Sequence, residues 1–295
     1  MFENANFDEH ERVVYLSDKA SGLKAIIAVH STALGPAGGG CRSWSYENTS
    51  LALEDVLRLS RGMSYKNALA GLPMGGGKAV ILGPINPAHR RDVFEAFGEA
   101  VDRLAGTYNT AEDVGGSVPD MQAVAAKTKY VSGLSSAGGA GGDPSPYTAR
   151  GVRLAIEAVA QHSFGASSLE GLRVAVQGLG GVGGNLCKEL VERGAKIIVA
   201  DINPSRVQSI CDQFGAEAVN IDSILLQEVD IVSPCALGGA ITLELVSKLR
   251  ARAVVGGANN QLSSPKVGQA LFDRSIVYAP DYLINSGGII MVAAE

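Results

Sequence analysis

Three glycines directly precede a lysine in the segment GLPMGGGKAVILG, residues 71–83. A phosphate-binding P-loop needs the pattern G-x-x-x-x-G-K-[ST], in which the final hydroxyl holds magnesium. Here Leu72 stands at the position of the first glycine, and Ala79 stands at the position of the hydroxyl. The segment therefore does not predict a phosphate loop, and Lys78 on its glycine-rich shelf must serve another purpose.

Lys66 in YKNALAGL and Asp113 in TAEDVGG are two further charged residues that could do chemistry. The sequence places these two residues and Lys78 beside loops or strand ends, where any one alone could be a solvated surface charge. Both lysines, however, are flanked by small or apolar residues, which predicts partial desolvation. Desolvation and a second ammonium nearby both favour the neutral amine that general acid–base catalysis requires.

Gly178, Gly180 and Gly183 in VAVQGLGGVGGNL match G-x-G-x-x-G, which alone is weak in a chain with 37 glycines. A predicted strand precedes the motif, a predicted helix follows it, and Asp201 ends the next strand. In a dinucleotide fold the helix N-terminus binds the pyrophosphate and the acid binds the adenosine ribose. Asp201 favours NAD over NADP because it repels a 2′-phosphate, although Arg206 could accommodate that phosphate. The alternative is a glycine-rich turn that binds nothing.

Hydrophobic patterning predicts the elements that position these residues. In the N-terminal half it predicts strands over 12–17, 23–30 and 78–83. It also predicts helices over 50–63 with Ser50 as N-cap, over 90–106 ending at Gly106, and over 118–133 with Pro119 at its start. In the C-terminal half, from a helix over 148–163 onward, strands and helices alternate, which predicts parallel βαβ units. Between the halves, residues 135–146 are almost free of apolar side chains, which predicts a linker and a domain boundary.

Composition limits the class of protein. The chain has 295 residues, 46% of them hydrophobic, and a net charge of −5, which argues against nucleic acid and anionic membranes as partners. It lacks an apolar run of about 18 residues and a signal-like N-terminus, so a soluble cytoplasmic protein is expected. The cysteines lack C-x-x-C spacing and are expected to be reduced, and the histidines lack the i, i+4 spacing of a helical metal site.

Eight blocks in order resemble the Glu/Leu/Phe/Val amino-acid dehydrogenase superfamily, most closely its leucine, phenylalanine and tryptophan dehydrogenases. The blocks are TALGPAGGGCR, LRLSRGMSYKNALAGLPMGGGKAVI, TAEDVG, PSPYTARGV, VAVQGLGGVGGNL, PCALGG, GGANNQL and PDYLINSGG. The resemblance implies a two-domain α/β fold. An N-terminal α/β domain for substrate binding, catalysis and oligomerisation covers 1–134, and a Rossmann NAD-binding domain covers 135–285. Residues 286–295 would begin a segment that returns to the first domain.

The resemblance also implies the roles of individual residues. Lys66 would bind the substrate carboxylate, Lys78 would be the general base, and Asp113 would handle the substrate amino group and proton transfer. The glycine triplet would clear space for Lys78 beside the reacting carbon. Implied substrate contacts are Gly38, Gly39, Gly40, Met63, Lys66, Ala111, Asn259, Ile289 and Val292. Implied cofactor contacts are Thr148, Gly178, Gly180, Gly181, Val182, Gly183, Asp201, Ile202, Cys235, Ala236, Asn259, Asn260 and Asn285.

The implied reaction is the reversible, NAD-dependent oxidative deamination of a hydrophobic L-amino acid, aromatic or branched-chain, to its 2-oxo acid and ammonium. The implied pocket residues Gly38, Ala111, Ile289 and Val292 are apolar and offer no cation to a glutamate side chain. Gly38 falls where leucine dehydrogenases carry a bulkier residue, which predicts room for a large side chain and slightly favours aromatic substrates. The family also implies a homo-oligomer.

Two rival functions remain open at the sequence level. A hydroxy-acid dehydrogenase would need a catalytic histidine beside a carboxylate, and none of the four histidines has such a setting. A non-catalytic, NAD-binding regulatory relative is the other, because the chain stops at Glu295 whereas family members usually continue with helices that pack back across the first domain. The pocket is therefore expected to be less well closed.

Overall fold

The computed structural model describes residues 2–134 and 143–293. The chain forms two compact units: unit 1 spans Met1–Gly142 and includes Val292–Glu295, and unit 2 spans Asp143–Met291. The predicted linker at 135–146 falls largely on residues 135–142, which lie outside the described residues. The boundaries predicted after residues 134 and 285 fall before the unit boundaries, which follow Gly142 and Met291.

Unit 1 contains a mixed sheet with helices on both faces. Its strands are β1 (Arg12–Asp18), β2 (Leu23–Ser31), β3 (Ala37–Gly38), β4 (Cys41–Trp44), β5 (Gly75–Leu82) and β6 (Tyr108–Asn109). The sheet order is β1-β2-β5-β3-β6, and β4 also pairs with β5. β2 is antiparallel to both β1 and β5, whereas β3 and β4 run parallel to β5. β5 is thus a central strand, with neighbours along both of its edges.

The helices of unit 1 are α1 (Thr49–Leu69), α2 (Arg90–Asp102) and α3 (Val118–Ala125), with a 3₁₀ turn at Pro87–His89. They cover opposite faces of the sheet, because successive residues of a strand point to opposite sides. Ile26 of β2 packs with Val56 of α1, whereas the adjacent Ile27 packs with Phe94 and Phe97 of α2. Both faces of β2 are therefore buried.

The helix boundaries differ from the predicted ones. Asn48 caps α1 instead of Ser50, since its side chain accepts a hydrogen bond from the Leu51 amide at 3.0 Å. α1 continues beyond residue 63 to Leu69, since residues 64–70 contain no glycine or proline. α2 ends before the predicted Gly106, since Ala105 and Gly106 have φ values of 51° and 85°. α3 is only half as long as predicted, and beyond it the Thr128 hydroxyl accepts from the Tyr130 amide at 3.1 Å, which replaces a helical hydrogen bond.

Unit 2 contains a parallel sheet of six strands. They are β7 (Arg173–Gln177), β8 (Lys196–Ala200), β9 (Glu217–Ala218), β10 (Ile231–Pro234), β11 (Ala253–Val254) and β12 (Val277–Tyr278). The order β12-β11-β10-β7-β8-β9 means that the chain runs outward from β7 to β9 and then returns to place β10 beside β7. Ligands of doubly wound sheets bind at the carboxyl ends of the strands on either side of such a reversal.

The helices of unit 2 are α4 (Ser145–Phe164), α5 (Gly181–Val191), α6 (Pro204–Phe214), α7 (Leu243–Lys248), α8 (Pro265–Asp273), α9 (Asp281–Ile284) and α10 (Gly287–Ala293), with a 3₁₀ turn at Ile224–Leu226. Residues on both faces of β7 are buried, with Val174 and Val176 in one cluster and Ala175 in another. These features confirm the predicted α/β fold class. In the described part of the chain, none of the helices has the length and apolar character needed to cross a membrane.

Candidate active site

Lys78, which is buried, and Asp113, which is half-buried, form an ion pair in unit 1. Lys78 lies within β5 and Asp113 lies in the loop after β6, and the Lys78 Nζ and Asp113 Oδ2 atoms are 2.9 Å apart. Lys66 lies inside α1, which packs on β5. Lys78 is 4% exposed and Lys66 is 9% exposed, so neither is a solvated surface charge. The predicted trio thus comprises two residues in direct contact and a third on the neighbouring helix.

The glycine triplet is part of a strand, which corrects the expectation of a loop before Lys78. β5 begins at Gly75, and its glycines are needed because neighbouring protein atoms occupy the space beside them. A methyl group on Gly76 would collide with the backbone amide and hydroxyl of Ser64 and lie 2.6 Å from the Ser60 carbonyl oxygen. One on Gly77 would lie 2.6 Å from the Tyr108 ring. Gly76 therefore lets α1 approach β5 closely, and Gly77 makes room for the Tyr108 ring.

A second glycine shelf, Gly38 to Gly40, lies against the same elements. A methyl group on Gly39 would collide with the Gly77 carbonyl oxygen and lie 3.2 Å from Met63 Cγ. On Gly40 it would lie 2.9 Å from Asp113 Cβ. These contacts bring together the predicted residues Gly39, Gly40, Met63 and Asp113.

Met74 occupies the space beside Gly38. A methyl group on Gly38 would lie 3.0 Å from Met74 Cε and 3.3 Å from Met74 Sδ. Gly38 therefore does not by itself open room for a larger substrate, as the sequence suggested, because a flexible thioether already fills the volume next to it. Sequence analysis missed Met74, although it stands directly before the glycine triplet.

The charges around Asp113 keep it ionised. Burial raises the pKa of Asp113, but the nearby cations Lys78 and Arg42 outweigh burial and lower that pKa to about 2. Arg42 Nε donates to Asp113 Oδ2 at 3.3 Å. Cys41, next to Arg42, is fully buried, and burial raises the pKa of its thiol. Sequence analysis missed Arg42, and its only signal was its position at the end of the block TALGPAGGGCR.

For the other residues that the resemblance assigns to the substrate pocket, the structure gives fewer contacts. The Ala111 carbonyl accepts from the Cys41 amide at 2.8 Å, which holds Ala111 next to the second glycine shelf. Ile289 and Val292 are one helical turn apart on α10 and both are half-buried. That these residues line one substrate pocket stays a prediction.

In unit 2 the three motif glycines have distinct surroundings. Gly178 has φ of 89°, and a methyl group on it would lie 2.9 Å from Ala236 Cβ. A methyl group on Gly183 would collide with the Gly178 carbonyl oxygen, so this glycine permits close packing of β7 and α5. A methyl group on Gly180 would meet no atom of the described residues within 4 Å. The turn therefore leaves open space directly before Gly181 and Val182, the first residues of α5, where helix amide groups and the helix dipole favour an anion.

Asp201 follows β8 and is anchored by backbone groups. Its Oδ2 accepts from the Leu179 amide at 2.6 Å, and its Oδ1 accepts from the Asn203 amide at 2.7 Å. Arg206 Nη1 lies 3.9 Å from Asp201 Oδ2. The adjacent Ile202 is 87% exposed, an unusual position for a large apolar side chain. This carboxylate next to the glycine turn fits a ribose hydroxyl, and Ile202 offers an apolar surface to an adenine ring.

Several implied cofactor residues lie around the carboxyl ends of β10 and β11. Asn285 Nδ2 donates to the Gly257 carbonyl at 3.1 Å and to Asn259 Oδ1 at 2.8 Å. Cys235 Sγ accepts from the Gly257 amide at 3.4 Å. Among the described residues, the buried Asn285 Oδ1 has no hydrogen-bond partner. A buried amide oxygen without a partner fits a site whose ligand donates a hydrogen bond, as the carboxamide of nicotinamide does.

Two further residues that the resemblance marks as cofactor contacts, Asn260 and Thr148, are fixed by hydrogen bonds that involve backbone groups. Asn260 has φ of 52°, and its amide donates to Asp281 Oδ2 at 2.6 Å. The Thr148 hydroxyl, in the first turn of α4, donates to the Pro144 carbonyl at 3.2 Å. Within residues 2–134 and 143–293, no three His, Cys, Asp or Glu side chains cluster in a way that could hold a metal ion.

Family models match both halves of the chain. The Glu/Leu/Phe/Val dehydrogenase dimerisation domain matches residues 10–130, and the Glutamate/Leucine/Phenylalanine/Valine dehydrogenase model matches residues 138–205 and 201–295. The leucine dehydrogenase of Bacillus subtilis (strain 168) is 51% identical over 287 residues, 97% of this chain and 79% of that protein. The valine dehydrogenase of Streptomyces virginiae is 48% identical over 289 residues, again 97% and 79%. The crystal structure of L-tryptophan dehydrogenase from Nostoc punctiforme is 40% identical, covers 98% of this chain and 83% of that one, and has a TM-score of 0.76.

Proposed function

This chain belongs to the Glu/Leu/Phe/Val dehydrogenase family, and from that premise we propose that it catalyses the NAD-dependent, reversible oxidative deamination of hydrophobic L-amino acids. The products would be a 2-oxo acid and ammonium. The observation that carries the proposal is the ion pair between Lys78 of β5 and Asp113, 2.9 Å apart, together with Lys66 on the helix that packs against β5. Placing two amines and a carboxylate in such a poorly solvated region costs folding free energy, and charges of this kind cluster at functional sites.

We assign Lys66 to the substrate carboxylate and Lys78 to the water that attacks the substrate iminium. An amine that is 4% exposed has few competing waters, so the water that it orients is well defined. Asp113, with a pKa of about 2, stays a carboxylate at neutral and alkaline pH. Its part is therefore to orient Lys78 and the substrate amino group by accepting hydrogen bonds. A bound NAD supplies the hydride acceptor.

NAD is the cofactor that we propose, rather than NADP. Asp201, anchored by two backbone amides, would accept hydrogen bonds from ribose hydroxyls and would repel a 2′-phosphate. Arg206 already lies 3.9 Å from this carboxylate, so its charge is partly compensated. Gly180 leaves the space in which the pyrophosphate would meet the first amides of α5. Asn285 Oδ1 would accept from the nicotinamide carboxamide.

The substrate class follows from the apolar residues of unit 1. Met63 and Met74 border the second glycine shelf, and methionine adapts its shape to different apolar partners. One methylene changes discrimination by only about 1–3 kcal/mol, so we expect several hydrophobic amino acids to be accepted. The relatives named leucine and valine dehydrogenases support branched-chain substrates, and the tryptophan dehydrogenase supports aromatic ones.

We also propose a homo-oligomer, because the model that matches residues 10–130 describes a dimerisation domain. A cytoplasmic location belongs to the same proposal, since all four cysteines are free. Light scattering coupled to size-exclusion chromatography measures the oligomer directly.

A panel of L-leucine, L-valine, L-phenylalanine, L-tryptophan and L-glutamate, each with NAD and with NADP, tests the function through NADH or NADPH absorbance. We expect turnover with the hydrophobic amino acids and NAD, and little with glutamate or NADP. Lys78→Met should lower kcat about 10²- to 10⁴-fold, whereas Lys24→Met, at an exposed position of β2, should leave kcat unchanged. NAD binding without turnover of any amino acid would instead establish a non-catalytic relative.

A further inference from the structure

We propose that Arg42 is a positioning residue that holds Asp113 beside Lys78 and ties both to helix α1 through Asp55. The inference rests on the function proposed above, in which Lys78 and Asp113 serve the reacting centre. Neither Arg42 nor Asp55 is among the residues that the family resemblance marked for catalysis.

Arg42 binds two carboxylates from different parts of unit 1. Its Nε donates to Asp113 Oδ2 at 3.3 Å, and its Nη1 donates to Asp55 Oδ2 at 2.8 Å. The same Asp113 Oδ2 lies 2.9 Å from Lys78 Nζ, so this one oxygen lies between two cations. The Arg42 side chain is only 13% exposed. A planar guanidinium offers several donors at fixed angles, which suits it to bridging two carboxylates that a lysine amine could not hold in the same way.

The other side of the bridge is also fixed. Tyr46 donates its hydroxyl to Asp55 Oδ2 at 2.6 Å, the oxygen that Arg42 also contacts. Burial lowers the pKa of Arg42, but the carboxylates of Asp113 and Asp55 outweigh it and raise that pKa. The guanidinium is therefore permanently charged. Three residues from β4, the following loop and α1 thus form one connected support behind Asp113.

Helix α1 links this support to the second buried amine. Asp55 and Lys66 both lie on α1, about three turns apart and on nearly the same face. A shift of α1 along the sheet would therefore move Lys66 and loosen the Arg42 bridge together. The Arg42–Asp55 ion pair therefore fixes the position of Lys66 along the sheet relative to Lys78 and Asp113.

The charges predict opposite effects for the two ends of the bridge. Removing Arg42 takes a cation from beside Asp113, which raises the pKa of that carboxyl from about 2 toward its ordinary value. Removing the charge of Asp55 leaves Arg42 uncompensated, which favours the ionised form of Asp113. Cys41 and Tyr108, two further ionisable groups that interact with Asp113, are neutral, because burial raises the pKa of each.

The test compares Arg42→Met, Arg42→Lys and Asp55→Asn with the wild-type chain. Aspartate carboxyl carbons are labelled with ¹³C, the Asp113 signal is identified by its loss in Asp113→Asn, and its pH titration is followed by NMR. We expect the Asp113 midpoint to move up from about 2 in Arg42→Met and not to rise in Asp55→Asn. Arg42→Lys should restore most of the midpoint.

Steady-state kinetics give the second readout. We expect Arg42→Met to lower kcat about 10²-fold with a smaller change in the KM for the amino acid. Arg42→Lys should recover kcat only in part, because an amine cannot bridge both carboxylates.

Arg153→Met is the matched control. Arg153 is a buried arginine of unit 2 that also pairs with two carboxylates, Glu157 and Glu189. This variant should lose stability without moving the Asp113 midpoint. An Asp113 midpoint that stays unchanged in Arg42→Met, or that rises equally in Asp55→Asn, overturns the proposal. A wild-type chain without amino-acid turnover refutes the proposed function alone, since the titration still decides what Arg42 does.

Discussion

Residues 75–77 of β5 and residues 178–183 before α5 are both rich in glycine, yet the space beside the two segments is used differently. In β5, protein atoms take the place of each missing side chain: the Ser31 carbonyl beside Gly75, Ser64 beside Gly76 and the Tyr108 ring beside Gly77. In the turn before α5, protein atoms surround Gly178 and Gly183, but in the part of the chain that the structure describes a methyl group on Gly180 would meet nothing within 4 Å.

The difference separates two uses of glycine that look alike in a sequence. The glycines of β5 allow protein to approach protein, so that a helix backbone can lie on a strand. The space beside Gly180 is not filled by the described residues, and we propose that the cofactor occupies it. A glycine-rich segment therefore indicates close approach, and the structure decides what approaches.

The largest effect is expected when a side chain enters β5. Gly76→Ala would force a methyl group onto the backbone of α1 at Ser60 and Ser64, neither of which can move without moving the helix. We expect the free energy of unfolding, measured in urea, to fall by at least about 3 kcal/mol. A loss below about 1 kcal/mol would show that α1 and β5 are less tightly packed than described.

The ion pair next to the triplet should appear in the pH dependence of stability. The pKa of Asp113 is about 2 in the folded chain, below its ordinary 3.8. A lowered folded-state pKa gives stability that is present above the ordinary pKa and is lost as the pH falls toward the folded one. Asp113→Asn lacks this contribution, so its deficit in unfolding free energy should shrink by about 1 kcal/mol between about pH 5 and pH 3.

Asp222→Asn, at an exposed position in unit 2, is the control for that measurement and should show no such convergence with the wild-type chain. A deficit for Asp113→Asn that is constant over the same pH range would mean that Asp113 is not held as a carboxylate by Lys78 and Arg42.

Gly180→Ala should act on binding and leave folding unchanged. Because residues 2–134 and 143–293 place no atom within 4 Å of the added methyl group, the free energy of unfolding should stay within about 0.5 kcal/mol of wild type. The methyl group would stand in the space proposed for the pyrophosphate, so the Kd for NAD, measured calorimetrically, should rise about 10-fold. Unchanged NAD affinity would place the pyrophosphate elsewhere. Gly183→Ala is the contrasting variant and should destabilise the fold.

The smallest effect is expected at Gly38, where the neighbour can move. Its added methyl group would lie 3.0 Å from the end of the Met74 side chain. Gly38→Ala should therefore cost less than about 1 kcal/mol of stability and change the leucine-to-phenylalanine ratio of kcat/KM by at most about 10-fold. Combining Met74→Ala with Gly38→Ala should reverse part of that change. Strictly additive effects of the two substitutions would mean that residues 38 and 74 do not interact.

The fold of unit 2 could be predicted because its signals are local. The strand, the glycine turn, the helix and Asp201 follow one another in the sequence, and each predicts its neighbour. In unit 1, the predictions of secondary structure were wrong where residues distant in the sequence determine the local structure. Gly75 to Gly77 form a strand because β2 and β3 pair with them, and Asn48 replaces Ser50 as the cap because of backbone geometry that composition does not encode.

The site was accessible to sequence reasoning only in part. Lys66, Lys78 and Asp113 were identified through the resemblance, since 47 positions separate Lys66 from Asp113 and no spacing rule joins them. Arg42, Asp55 and Met74 were missed, because an arginine, an aspartate and a methionine carry no signal until folding shows what they contact.

Cys41 lies in the same buried region as Lys78 and Asp113, and burial raises the pKa of its thiol. The thiolate is the form that reacts with alkylating agents and oxidants. Alkaline buffers that activate an ordinary cysteine therefore leave Cys41 inert, and peroxide or iodoacetamide has no route to the reacting centre through this sulfur. Deamination can be assayed at high pH without a reducing agent to protect this position, and a covalent inhibitor would need a different anchor.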